Sequence, residues 1–261
     1  MNYRKFTPEE QASGAFNGGE IVENKPIGFP QDGGSLKPYS NLFYWAHAYT
    51  AEKPSTIGLH PHRGFEIVSF VLTGSIAHYD SMQQKWIPLH AGDVQIIRSG
   101  DGISHAEHLE AHSSIFQIWF DPNLQKTLQR PASYSDYSSA DIPQASLDGA
   151  IVWNLAGQEG IMEMEAEGID IKRYQWEGRS IRIPARNDYY YSMYVIQGDV
   201  RVNDNPMQPH DFVQFSPDST SVESFNASIE VVAIGAADLF VIASPASPGY
   251  QTYADQWKNR S

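Results

Sequence analysis

The 261-residue chain contains no cysteine. Disulfides, iron–sulfur clusters and thiolate zinc sites are therefore excluded. The absence also fits a reducing compartment. Basic residues are scarce: 18 Lys and Arg stand against 31 Asp and Glu, a formal net charge of -13. Non-specific nucleic-acid binding needs a basic face, so nucleic acid is not an expected partner. Long apolar runs are missing too. None is long enough to span a bilayer, and the polar, charged segment 1–10 lacks the apolar centre of a signal peptide. The expectation is a cytoplasmic protein without membrane association. No glycine loop ends in the Lys-Ser/Thr of a phosphate cradle. Ser99 and Ser104 have no base and carboxylate at a spacing that would make either a nucleophile.

What is abundant points to strands. The chain is 41% apolar and 12% aromatic, with 20 glycines and 16 prolines. Frequent Tyr, Val, Ile and Phe broken by Gly and Pro favour short strands and turns over long helices. Segments 41–48, 65–73, 75–79, 94–97 and 114–120 read as strands, the last nearly all apolar and so buried on both faces. A second series follows at 150–154, 161–165, 169–175, 179–183, 189–197, 200–203, 212–215 and 229–234. The polar stretch 121–150 reads as the connection, with a helical turn near 124–128. The tail offers one short helix over 253–258.

The two series repeat. Phe65 to Ile76 matches Tyr189 to Val200 in pattern, and Leu89 to Gln95 matches Gln208 to Gln214. Two similar all-β units follow, 1–135 and 136–261, and closure into barrels would hide their sheet edges. Carrying the register across sets Pro184 opposite His60, Arg186 opposite His62 and Tyr190 opposite Glu66. The loop counterpart near 216–224 holds no histidine. One site per chain is expected, in the first unit.

That site begins with two triplets, His60-Pro61-His62 and His105-Ala106-Glu107. Residues two apart on a strand share a face, so each triplet aims two donors at one point. Three imidazoles and one carboxylate suit a divalent transition metal, with two adjacent positions open on an octahedral ion. Zinc with a bound water of lowered pKa fits the same donors. Gly64 is a candidate for a bulge. Glu66 is a ligand, a carboxylate that fixes an imidazole, or the partner of Arg63. His108 and His112 read as exposed decoration. His47, His78, His90 and His210 read as ordinary or half-buried histidines, and Trp119 as core on a strand that reaches the pocket.

The run His60-Pro61-His62-Arg63-Gly64-Phe65-Glu66, with Gly74, Gly92-Asp93-Val94-Gln95 and Gly102-Ile103-Ser104-His105-Ala106-Glu107, resembles the pirin family of bicupins. Phe116-Gln117-Ile118-Trp119 is also similar. The likeness is specific over 38–125 and architectural beyond. The approach 36–49 fits loosely, and Arg98-Ser99-Gly100-Asp101 replaces a more apolar loop. The resemblance implies an all-β fold of two tandem cupin barrels (double-stranded β-helix, or jelly roll) with few short helices. It implies one divalent metal per chain on His60, His62, His105 and Glu107, with Fe(II) favoured and Mn, Ni, Co, Cu or Zn as alternatives. It further implies a quercetinase-like dioxygenase, an oxidoreductase taking a flavonol and O₂, with Glu107 as the catalytic base. The other reading is a redox-sensitive metal protein that regulates a protein partner.

Overall fold

The computed structural model describes residues 1–217 and 227–258. In chain order its strands are β1 (Asn2–Phe6), β2 (Ala12–Phe16), β3 (Ile21–Ile27), β4 (Leu42–Thr50), β5 (Ser55–His62), β6 (Glu66–Thr73), β7 (Ser75–Asp80), β8 (Trp86–His90), β9 (Val94–Arg98), β10 (Ile103–Leu109) and β11 (Ser114–Phe120). They continue as β12 (Ser133–Tyr137), β13 (Gln144–Leu147), β14 (Ala150–Ala156), β15 (Asp170–Glu177), β16 (Ser180–Ala185), β17 (Tyr189–Gln197), β18 (Val200–Val202), β19 (Asn205–Met207), β20 (Phe212–Ser216), β21 (Ala227–Ala233) and β22 (Ala236–Pro245). The α-helices are short, α1 (Leu124–Thr127) and α2 (Tyr253–Lys258).

Two compact units result. One comprises Glu10–Asp141 with Tyr250–Ser261, the other Met1–Glu9 with Ile142–Gly249. The division falls at 141/142 rather than 135/136, and each unit takes one end of the chain. Residues 121–150, read from sequence as a connection, carry strands β12 and β13. Segment 161–165 is not a strand; only a bridge from Met162 to Ala156 forms there.

Each unit has the same two sheets. The first stacks β12-β9-β6-β11-β4-β3-β2 with β5-β10-β7-β8. The second stacks β1-β20-β17-β22-β15-β14-β13 with β16-β21-β18-β19. Every pairing among named strands is antiparallel. The inner faces are apolar, with Ile67, Ile97 and Ile103 in the first unit and Ile183, Val195 and Val231 in the second. The turn glycines repeat as well. Gly74 (φ +69°) leaves no room for a Cβ beside Ser113, nor Gly198 (φ +85°) beside Ala236, so both positions demand glycine twice over.

The ladders correct the register read from sequence. His60 faces His105, and Glu107 faces Ile57. In the second unit Ile183 faces Ile229, and Ile181 faces Val231. The His60 and His62 positions thus correspond to Ile183 and Ala185, not Pro184 and Arg186. Two residues separate Ile57 from His60, and only one separates Ile181 from Ile183. The extra residue is a β-bulge at Gly58-Leu59. Gly64 is not the bulge; it is a turn residue at φ +91°. Residues 218–224 of the histidine-free loop lie outside the described residues.

Candidate metal centre

The histidine cluster sits where the end of β5 meets the start of β10. Alternation points His60, His62 and His105 to one face, with ring centroids 4.8 Å (His60–His62), 4.4 Å (His60–His105) and 4.8 Å (His62–His105) apart. One ring nitrogen of each falls within 4.8 Å of the others. The bulge has a chemical consequence. It sets the Gly58 carbonyl 2.8 Å from His60 Nδ1. A carbonyl only accepts, so Nδ1 carries the proton and Nε2 presents its lone pair.

His62 Nε2 and both ring nitrogens of His105 are buried without a hydrogen-bond partner. Burial lowers the pKa of His62 and of His105 to about 3, reinforced for each by the neighbouring imidazoles. Both rings are therefore neutral at pH 7, and neutral imidazoles are metal ligands. Buried, unpaired lone pairs converging on one point are costly unless something occupies that point. The donor set fits a divalent transition ion held by His60, His62 and His105.

Glu107 stands apart from that trio. It lies two residues beyond His105 on β10 and is fully buried, yet its oxygens are not among the mutually close donors. Its Oε2 accepts from Gln117 Nε2 at 2.6 Å, and its Oε1 from Ser69 Oγ at 3.3 Å. Gln95 donates to Ser69 at 3.2 Å, and the Tyr134 hydroxyl donates to Gln95 at 3.2 Å. Sequence reasoning missed this chain. Its signal was Gln117, a lone amide within the apolar run 115–120.

Glu66 is also buried and outside the trio. The cation beside it is Arg98, with Nε 3.9 Å from Oε1, rather than Arg63. Arg63 instead lines a pocket of about 430 Å³ with Pro61, His62, Ser81, Gly102 and Ser104. Trp119 and Phe65 wall the other side of His62, with centroids at 5.2 and 5.3 Å. His78 is fully buried, not half-buried. Its Nε2 lies 2.8 Å from Asp80 Oδ2, its ring stacks on Tyr134 at 4.6 Å, and it lies 5.7 Å from the His105 ring. His108 and His112 are near the surface, as expected, beside Glu110 and Glu52.

Two repeated antiparallel barrels, the first with a triad of imidazoles at its mouth, define a bicupin. Comparison with known proteins sharpens this. Residues 29–120 match the Pirin family model. A Pseudomonas aeruginosa protein named "Putative quercetin 2,3-dioxygenase" is 40% identical over 102 residues, 38% of this chain and 41% of that one. A bacterial pirin from Escherichia coli, solved with nickel(II), superposes with a TM-score of 0.72 at 17% identity, covering 94% of this chain and 99% of its own. A quercetin 2,3-dioxygenase from Acinetobacter baumannii superposes with a TM-score of 0.77 at 18% identity, covering 99% and 87%. At such identities the two structures establish the fold. The matched stretch spans 36–41% of the length of the first curated relatives. Residues 29–120, within the first unit, thus carry a Pirin family domain, and the chain has the bicupin fold of its solved neighbours.

Proposed function

We propose that the first barrel is a metal-dependent dioxygenase centre that cleaves a flavonol such as quercetin. The observation that carries this reading is the convergence of three imidazoles beside a pocket of about 430 Å³. The names of the Pseudomonas relative and the Acinetobacter structure support the substrate class. A divalent ion on His60, His62 and His105, Fe(II) by preference, would supply Lewis-acid and redox chemistry toward O₂ when bound.

The chain's own residues divide the remaining work. Glu107 accepts the proton of the flavonol 3-hydroxyl, as a buried carboxylate within reach of a substrate hydroxyl can. Gln117 and Ser69 hold that carboxylate in one orientation. The Gly58 carbonyl fixes the His60 tautomer. Phe65 and Trp119 pack against the His62 ring from the side away from the pocket and hold it in place. Ser81, Ser104 and Arg63 line the pocket and meet the polar rim of the substrate.

The test is anaerobic loading with Fe, Mn, Co, Ni or Cu, followed by quercetin under air. Turnover with at least one metal is expected. His62→Ala should lose metal and activity together, whereas Glu107→Gln should lower kcat at least 100-fold. No turnover with any of the five metals in the wild type rejects the reading.

A further inference from the structure

The second barrel holds the larger cavity, about 940 Å³ against about 430 Å³ beside His62. Its origin is visible in the repeat. Ladder positions that carry Tyr44, His62 and Trp119 in the first unit carry Asp170, Ala185 and Ala243 in the second. Three rings are exchanged for two methyl groups and one carboxylate. The space that Tyr44 and Trp119 fill by stacking at 4.4 Å is thereby left to the cavity.

The lining then specifies a ligand. Ile183 and Val241 line it with apolar side chains, and Tyr174, Tyr189 and Tyr191 add aromatic rings. Met162 and Met164 add polarisable thioethers from the loop before β15. Such walls favour a flat aromatic body. The charges in the lining are balanced in number, with Glu163 and Asp170 against Lys172 and Arg186. Asp170 lies 3.8 Å from Lys172 Nζ. Arg186 pairs with Asp188 at 2.7 Å and covers the Tyr189 ring at 4.2 Å. A charged ligand would meet as many like charges as opposite ones. An uncharged one with a hydroxyl would find in Asp170 an ionic acceptor, and hydrogen bonds to ionised groups are the strong ones.

We propose that the C-terminal barrel is a metal-independent binding site for a small, uncharged, planar phenol. It involves none of the histidine-centre residues and does not rest on the dioxygenase reading. Its probe is 2-naphthol, titrated calorimetrically into chelator-treated protein, with 2-methoxynaphthalene as the analogue that has no hydroxyl to donate. Saturable micromolar binding of 2-naphthol is expected, with the methoxy analogue at least threefold weaker. Ala243→Trp and Ala185→Leu refill the cavity from different strands, and each should weaken 2-naphthol at least tenfold while leaving metal content unchanged. Asp170→Asn should weaken 2-naphthol alone. His62→Ala should leave binding unaltered, which separates this site from the histidine centre.

Hydrogen exchange of the unaltered protein gives a readout that does not depend on the variants folding. Bound 2-naphthol should protect amides of β15 and β17 over those of β5 and β10. Absence of saturable binding overturns the proposal. So does equal affinity in both refilled variants, or protection confined to β5 and β10.

Discussion

Asp121 shows how one buried side chain makes stability depend on pH. It is 3% exposed and follows directly on β11. Its Oδ2 accepts the Tyr253 backbone N–H at 2.5 Å, at the start of α2. Burial raises its pKa from 3.8 to about 7, and the nearby Asp255 adds to the rise. The unfolded carboxyl loses its proton near 3.8, so between there and about 7 the folded chain binds more protons than the unfolded one. Stability is full below the lower value and falls as pH rises through the upper. Asp121→Asn keeps an acceptor for Tyr253 and removes the charge. The variant should melt with the wild type at pH 4 and be more stable at pH 8 by about 1–2 kcal/mol, after allowing for relaxation around the charge. Thermal unfolding of the pair at both pH values checks this. Equal melting at pH 8 would refute it. The sequence offered a way to see the histidine trio, because strand alternation alone brings His60, His62 and His105 to one face. It offered none for Asp121, whose burial depends on a segment 132 positions away.

The β5 bulge is one device that separates the two barrels. Without it the strand would run as β16 does, with Ile181, Ile183 and Ala185 facing inward on an unbroken ladder. With it, Gly58 and Leu59 both face outward, Leu59 being 61% exposed, and the Gly58 carbonyl turns onto His60. Deleting Leu59 restores the regular ladder and keeps His60 and His62 inward. It turns the Gly58 carbonyl away from the His60 ring that it fixes. Loss of such a contact behind a ligand costs roughly 10–100-fold in metal affinity. Competition titration against a chromophoric chelator should show a loss of that size with an unchanged circular-dichroism spectrum; unchanged affinity would make the bulge incidental. The bulge was hidden in the sequence for a physical reason. The ligand parity counts correctly from His60 forward whether or not a residue is inserted before it. The transferred register slipped by one for a different reason: two residues, Arg63 and Gly64, join His62 to Phe65, whereas three, Arg186 to Asp188, join Ala185 to Tyr189. By contrast 114–120 and 189–197 were legible to the residue, since continuous apolar or aromatic runs bounded by turn signals leave little choice of period.

The sheet order repeats from unit to unit, and the one substitution of partners explains why the division of the chain was hard to foresee. In the first unit the edge strand beside β9 is β12, which follows its own barrel closely in sequence. In the second, the same place beside β20 is taken by β1, from the other end of the chain. Local pattern reading cannot see such a pairing, because nothing in 2–6 names a partner at 212–216. The pairing is well fastened. Phe6 is 3% exposed and lies 6.3 Å from Phe212, Tyr3 meets Phe215 at 5.4 Å, and Lys5 Nζ reaches Asp211 at 2.6 Å. Removing Met1–Glu9 would bare the β20 edge, with its row of unpaired backbone groups and a template for association. Burial of Phe6 and Tyr3 alone is worth about 3–5 kcal/mol. The truncated chain should lose amide protection in β20 and β17 and aggregate more readily. Its histidine centre, built wholly from the other unit, should take up metal as before. Hydrogen exchange with metal analysis of one sample reads both. Undiminished protection in β20 would mean that β1 contributes little, and lost metal uptake would mean that the first barrel depends on that segment after all.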